Sequence, residues 1–402
     1  MPAKAGIQFF NKALGPRFRG DERTGGAMPD LNNTSPLRLC VMPGDGIGPE
    51  ITAATLGVLR EADRLLQLGL VFEEATIGHA ALKRDGTTFP EAAFAAAQGA
   101  DGIILGPVSH NEYPPVEKGG INPSGALRKR LDLYANIRPA RSRADFPPRC
   151  GKGVDLVIVR ENTEGFYADR NMFLGTGEIM PTPDVALSMR KITRQGSTRI
   201  VEEAFRLAMR RRRHVTAVHK ANVLRVSDGL FLECARAVAA RYREVKYEEK
   251  IIDAMAALLV RDASAFDVVV TTNMFGDILS DEASEIAGSL GLAESLNAGA
   301  DHAMAQAQHG SAPDIAGQDR ANPTSLIGSA AMLLAWLGER RDDARLTRAA
   351  AAIERAIDLT IATPDGRTRD LGGPLGTKAF GEKVAAALSF SAHARASGHP
   401  EK

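Results

Sequence analysis

The chain has 402 residues, 44% hydrophobic and 25% charged, with three cysteines and a net charge of +1. These are ordinary values for a soluble globular protein of two or three domain-sized units, and the near-zero charge argues against a general nucleic-acid or membrane surface. Apolar runs such as AAMLLAWLG at 330–338 are too short to span a bilayer, and the scattered Cys40, Cys150 and Cys234 have no metal-like spacing and fit a reducing, cytoplasmic setting.

The first 27 residues show no helical or strand period, and they lack the apolar core of a secretory signal. Residues 1–36 are read as a disordered extension, with Met28 as a credible true start. A rhythm begins at residue 37. Short apolar runs at 37–42, 102–106, 154–159, 215–219 and 266–272 suit buried strands. Helical patterns fall at 49–66, 91–98, 196–213, 227–241, 251–260 and 275–287, and the tail reads as closing helices. Alternation of this kind predicts an α/β protein with a largely parallel sheet. Ligands usually lie at the turns that follow such strands.

The stretch MPGDGIGPE, 42–50, follows the first strand and opens a helix at Pro49. Its glycines permit close backbone approach to a ligand, although the spacing is not the dinucleotide fingerprint and a plain tight turn is the alternative. In ALRKRLDLYANIRPAR and VIVRENTEGFY, the arginines Arg128, Arg138 and Arg160 sit near strand ends or in a turn-flanked helix. Arginines so placed are either solvated surface or bidentate clamps for carboxylates. In VHKANVLRVSDGLF, Lys220 ends a strand and is either a snorkelling lysine or a desolvated proton acceptor.

Asp277 and Asp281, four apart in MFGDILSDEAS, share one helix face. Their repulsion, roughly 0.2–0.5 kcal/mol in an isolated helix, is tolerable on a wet face and is relieved if a cation sits there. Asp253 is either an acid at a helix start or a third oxygen ligand. Three such carboxylates would suit Mg²⁺ or Mn²⁺. The turn-rich QHGSAPDIAGQDRANP, 308–323, is a long loop able to wrap a flat or phosphorylated ligand.

Taken in order, PGDGIGPE, LRKRLDLYANIRP, RENTEGFY, HKANVLRVSDGLF, FDVVVTTNMFGDILSDEAS, HGSAPDIAGQDRANPT and TRDLGG resemble the isocitrate/isopropylmalate dehydrogenase family of β-decarboxylating dehydrogenases. The resemblance spans about 37–376. It implies two α/β domains, a discontinuous dinucleotide-binding domain at 37–133 and 288–392 and a dimerisation and substrate domain at 134–287. It further implies a homodimer with shared active sites, where Lys220 and Asp253 reach the Asp277 and Asp281 of the other copy.

The implied reaction is NAD-dependent and Mg²⁺- or Mn²⁺-dependent oxidative decarboxylation of a 3-substituted malate. On that resemblance Arg128, Arg138 and Arg160 hold the malate carboxylates, and Asp253, Asp277 and Asp281 bind the metal. Lys220 assists removal of the hydroxyl proton and Tyr167 returns one to the carbon that loses CO₂. Gly44, Ile47, His309, Gly310, Ser311, Ala312, Asp314, Ile315 and Asn322 bind the dinucleotide. Asp314 would accept ribose hydroxyls and repel a 2′-phosphate, which favours NAD.

Some segments depart from the pattern. Isopropylmalate enzymes usually present leucines before LR, whereas INPSGALR offers Asn122 and Ser124, able to hydrogen-bond a polar 3-substituent. His110 lies in a replaced stretch and is either solvated or a substrate contact. Gln306 stands where most relatives carry an acid near the nicotinamide. The competing reading is a non-catalytic regulatory subunit. Such subunits tend to lose metal aspartates or the Tyr/Lys pair, all of which are present here.

Overall fold

The structure is a computed structural model that describes residues 36–396 apart from 144, 147, 150, 168–171, 173 and 174. The extension expected over 1–36, Pro36 excepted, and Cys150 lie outside the described residues. In chain order the elements are β1 (Leu37–Met42), α1 (Gly48–Leu66), β2 (Leu70–Glu74), α2 (Gly78–Asp85), α3 (Glu91–Gln98), β3 (Gly102–Leu105), α4 (Pro123–Arg130), β4 (Ala135–Arg141) and β5 (Asp155–Glu161). Next come β6 (Glu178–Thr182), β7 (Val185–Ser188), α5 (Arg194–Met209), β8 (His214–His219), α6 (Ser227–Ala239), β9 (Lys246–Ile251), α7 (Ile252–Asp262), β10 (Val268–Thr271) and α8 (Asn273–Ala287). The chain closes with β11 (Leu296–Ala298), β12 (Ala303–Gln306), α9 (Thr324–Arg341), α10 (Ala344–Ala362) and α11 (Thr377–Ala396).

Ten strands form one sheet in the order β2-β1-β3-β12-β11-β4-β5-β10-β8-β9. The pairs at either end are parallel, while β12–β11, β11–β4 and β4–β5 are antiparallel. Two parallel blocks of opposite direction therefore meet at β11 and β4, and helices cover the sheet. This is the expected α/β class with a mostly parallel sheet. Polar side chains of β4 and β5 lie at this central reversal: Asn136 pairs with Arg160 across the two strands, and Thr271 of β10 sits beside Arg160.

The five apolar runs form β1, β3, β5, β8 and β10, and the six helical patterns form α1, α3 and α5 to α8. Their interiors are apolar and buried: every residue of VVVT in β10 is buried. Two of the unheralded strands carry polar residues that hide the pattern. In β4, ANIRPAR, Asn136, Arg138 and Ala140 point to one buried face. In β9, KYEEKI, the charges suit an edge strand.

One buried apolar cluster joins β1 and α1 to α9, α10 and α11 near the chain's end. Others pack α5 and α6 against β5, β8 and β10, and α7 and α8 against the opposite face. Among the described residues no helix is long and apolar enough to cross a membrane.

Candidate active site

Three neighbouring elements supply the centre of the site. Arg138 projects from β4, Arg160 from the end of β5, and Asp277 and Asp281 from α8, which begins one residue after β10. The helix lies close to Arg160 because residue 276 is glycine. A Cβ there would stand 2.7 Å from Arg160 Cβ and Cγ, so a side chain would push the helix off the arginine.

Arg160 is 1% exposed and is satisfied on every side. Its Nε and Nη2 donate to Asn273 Oδ1 at 2.9 and 2.7 Å, Nη2 donates to the Tyr167 hydroxyl at 2.6 Å, and Nη1 donates to Asp277 Oδ1. Tyr167 in turn donates to Asp277 Oδ2 at 2.7 Å. Arg138 donates from Nε to Asn136 Oδ1 at 2.6 Å and from Nη1 to Ser280 Oγ at 2.7 Å. The same Nη1 reaches Asp277 at 3.0 Å and Asp281 at 3.5 Å. Within this chain a guanidinium therefore lies between the two aspartates and offsets the repulsion that their spacing creates.

The charges differ in their surroundings. Burial and the neighbouring Arg160 push Arg138 down to about 10, still a cation at neutral pH. Burial works to raise Asp277, but Arg160 and Arg138 outweigh it and hold its carboxyl below the usual carboxylate range. Burial, with the charge of Asp277 adding to it, lifts Asp281 above that range despite Gln308 and Arg138. Burial, assisted by Asp277 against Arg160, raises the Tyr167 phenol, so it stays protonated.

Gln306, at the end of β12, ties α4 to this region. Its Oε1 accepts from Arg128 Nη2 at 2.9 Å and from Ser124 Oγ at 3.1 Å. Ser124 and Arg128 are one helical turn apart and share that face of α4. Asn122 caps the same helix, its side-chain oxygen accepting from Gly125 N at 3.2 Å.

Lys220 and Asp253 lie elsewhere in the chain and pair with each other, Nζ to Oδ1. Asp253 is highly exposed, and the hydrogen bond from Lys220 holds its carboxyl below the usual range. Among the described residues no hydrogen bond or ion pair connects this pair to Asp277 or Asp281, and no cluster of three metal-ligating side chains forms.

The two candidate dinucleotide segments do meet. Ile47 N donates to Ser311 O at 2.8 Å, and a Cβ on Gly46 (φ +57) would fall 2.0 Å from that same oxygen. Gly44 similarly lies against Pro107 O. The approach that these glycines allow is thus to the chain itself, holding the Gly44–Gly48 turn against the 309–322 loop at Gly46 and against Pro107 at Gly44. In that loop Ala312 adopts a left-handed conformation, Asp314 is exposed in a 3₁₀ turn, and Ile315 packs on the apolar core. Asn322 donates to Asp370 at 3.0 Å. Gly310 is exposed, and His309 Nε2 and Gln308 Oε1 are buried without a hydrogen-bond partner. His110 is exposed in a 3₁₀ turn.

Sequence reasoning passed over four members of the cluster. Asn273 orients Arg160, Asn136 and Ser280 orient Arg138, and Gln308 Nε2 donates to Asp281 at 2.6 Å. Asn273 and Ser280 were detectable in principle, since they stand four before and three after Asp277 on one helix. Asn136 stands two before Arg138 on one strand face. Gln308 is brought in only by the tertiary fold.

The family model for isocitrate/isopropylmalate dehydrogenase matches residues 38–384. A 3-isopropylmalate dehydrogenase from Sulfurisphaera tokodaii is 42% identical over 83% of this chain and 94% of its own length. An isocitrate/homoisocitrate dehydrogenase from Thermus thermophilus is 43% identical over 87% of this chain and 98% of its own. The crystal structure of isocitrate dehydrogenase from Methylococcus capsulatus superposes with a TM-score of 0.76 at 38% identity, covering 87% of this chain and 99% of that one. The chain belongs to the isocitrate/isopropylmalate dehydrogenase family.

Proposed function

We propose that the chain is an NAD-dependent and divalent-metal-dependent dehydrogenase that oxidatively decarboxylates a 3-substituted malate to a 2-oxo acid, CO₂ and NADH. The observation that carries this reading is the convergence of Arg138, Arg160 and Tyr167 on Asp277, one helical turn from Asp281. The donor set fits Mg²⁺ or Mn²⁺: both carboxylates are reachable from solvent, and Asp281 Oδ2 accepts no hydrogen bond among the described residues. A cation held by Asp277 and Asp281, with Asp253 of a second copy, would supply Lewis-acid polarisation at the C2 oxygen.

Arg128, Arg138 and Arg160 would bind the acid's carboxylates, their forks suited to planar bidentate recognition. Lys220 Nζ of the second copy would take the C2 hydroxyl proton as the C2 hydride passes to NAD. Tyr167, kept protonated by its surroundings, would give its hydroxyl proton to the carbon that loses CO₂, with Arg160 Nη2 orienting the phenol. The Gly44–Gly48 turn and the 309–322 loop would hold the dinucleotide. The buried, unpartnered His309 Nε2 fits a polar ligand group there. The exposed Asp314 supports NAD over NADP.

The 3-substituent is inferred to carry a carboxyl or hydroxyl group. Ser124 and Arg128 of α4, with Gln306 of β12, make a polar surface where an isopropyl group would find no apolar partner. Gln306 is neutral, so it engages Arg128 without cancelling its charge. The two-domain division at 37–133 with 288–392 and at 134–287, and a homodimer with shared sites, complete the reading.

The test is NADH or NADPH formation with Mn²⁺ across isopropylmalate, isocitrate, homoisocitrate, tartrate and malate. The expected result is NAD reduction with the highest kcat/KM for an acid whose 3-substituent is polar. A preference for isopropylmalate would refute the polar surface. No turnover with any acid would refute the reaction.

A further inference from the structure

Lys220 is the first residue after β8, and its position depends on a buried charge. Its backbone N donates to Oδ2 of Asp228, a carboxylate in the first turn of α6 that is 0% exposed. The other oxygen of Asp228 accepts from Arg190 Nη1, which also reaches Ser227 Oγ at 3.2 Å. Arg190 Nη2 donates to Thr272 Oγ1 at 2.8 Å, and Thr272 is the residue at the N-terminal boundary of α8. The guanidinium stands 5.6 Å from the ring centre of Phe166 and 5.2 Å from that of Phe275, which lie beside Tyr167 and on α8.

We propose that Arg190 and Asp228 are positioning residues that lock the Lys220 turn, which each copy lends to its partner's site, to the start of α8, which carries the aspartates of its own site. The proposal rests on the reading that Lys220 of one copy and the α8 aspartates of the other belong to the same chemistry. A continuous run of contacts passes from Lys220 N through Asp228, Arg190 and Thr272 to Asn273, and from Asn273 to Arg160 and Asp277. A buried ion pair is a poor source of net stability, because desolvation offsets most of the attraction and an apolar pair of similar volume serves as well. What an apolar pair does not supply is a fixed acceptor for Lys220 N and a fixed donor for Thr272 Oγ1. Because each copy carries both elements and lends one of them, a small loss of register between them displaces Lys220 from the other copy's Asp277 and Tyr167, which falls on proton transfer before it falls on binding.

The experiment compares the wild type with Arg190→Gln and with the double variant Arg190→Met/Asp228→Leu, which leaves neither member of the pair buried without its partner and so guards against simple misfolding. Steady-state kcat and KM are measured, together with hydrogen–deuterium exchange of peptides covering 218–226 and 272–281. The expected result is a kcat at least tenfold lower in both variants, with KM for the acid within twofold. Exchange rises in both peptides together while the folded fraction is unchanged. Recovery of kcat to within twofold in the apolar double variant would show a structural role and overturn the proposal. So would a loss residing in KM, or faster exchange in one peptide only. If the wild type reduces no dinucleotide with any acid, the reading of the reaction fails separately, and the paired or unpaired rise in exchange decides the proposal.

Discussion

The α8 cluster and the Lys220–Asp253 pair are both charged, yet they are built in opposite ways. Around Asp277, two buried guanidiniums, a phenol and the side chains of Asn273, Asn136 and Ser280 fix every donor within one chain. Lys220 and Asp253 hold each other by one contact, and most of Asp253 faces solvent. A preorganised cluster needs a ligand to use its charge, because its arginines already share their counter-ion. An exposed pair with a single partner gains only the small energy of a surface salt bridge, so its value must lie in what approaches it. The difference teaches that one half of the proposed site is complete within the fold and the other is an outward-facing contribution.

The sharpest way to break that contrast is at its most connected atom. Asp277→Asn would leave Arg138 and Arg160 facing each other with an amide between them. Turnover should fall by at least about 10³-fold, as expected when a metal ligand and a charge-stabilising group are lost together. The part-exposed carboxylate limits the stability loss to about 1–3 kcal/mol. Steady-state kinetics and a thermal melt measure both, and wild-type turnover would remove Asp277 from the site. Tyr167→Phe keeps the ring and removes the proton donor. It should lower kcat by about 10²-fold with KM nearly unchanged. A loss confined to KM would make Tyr167 a binding residue instead.

A smaller effect separates the two aspartates by pH. Asp281 is raised by burial and Asp277 is lowered by its arginines, so Asp281 takes its proton first as pH falls. Mn²⁺ affinity, read by calorimetry, should weaken severalfold just above the ordinary carboxylate range. The stability signs are opposite. Asp277, depressed in the fold, contributes stability above its unfolded pKa that is lost as pH falls through its folded value. Asp281, raised in the fold, binds its proton more tightly when folded, so its protonation favours the metal-free fold. Melting temperature should therefore hold while Mn²⁺ affinity drops. A simultaneous loss of both would contradict the assignment of the two shifts.

Much of the fold was legible because α/β strands buried on both faces read as continuous apolar runs, as VVVT does in β10. Among the strands that escaped, two are masked by their charged residues. The two arginines and the proline of ANIRPAR disguise β4, and the charges of KYEEKI disguise β9. In the candidate site, ordered motifs pointed to Arg128, Arg138, Arg160, Tyr167, Lys220, Asp253, Asp277 and Asp281; the fold brings Arg138, Arg160, Tyr167, Asp277 and Asp281 together, while Lys220 and Asp253 pair apart from them within the chain. The roles of Gln306 and Gln308 were illegible in sequence. Their contacts, Gln306 with Ser124 and Arg128 and Gln308 with Asp281, span separations that only the tertiary fold bridges. Local spacing gave the aspartate pair, but not the guanidinium of Arg138 that sits between them.

The most direct test of an inward half and an outward half is complementation between two disabled chains. Lys220→Ala and Asp277→Asn would each be inactive alone. If each site takes its lysine from the other copy, a dissociated and reassociated equal mixture contains one intact site in each mixed dimer. Half of the dimers are mixed, so activity should return to about one quarter of wild type. Mixed dimers that form, shown by mass spectrometry, yet recover no activity would place Lys220 and Asp277 in the same chain's site and contradict the account.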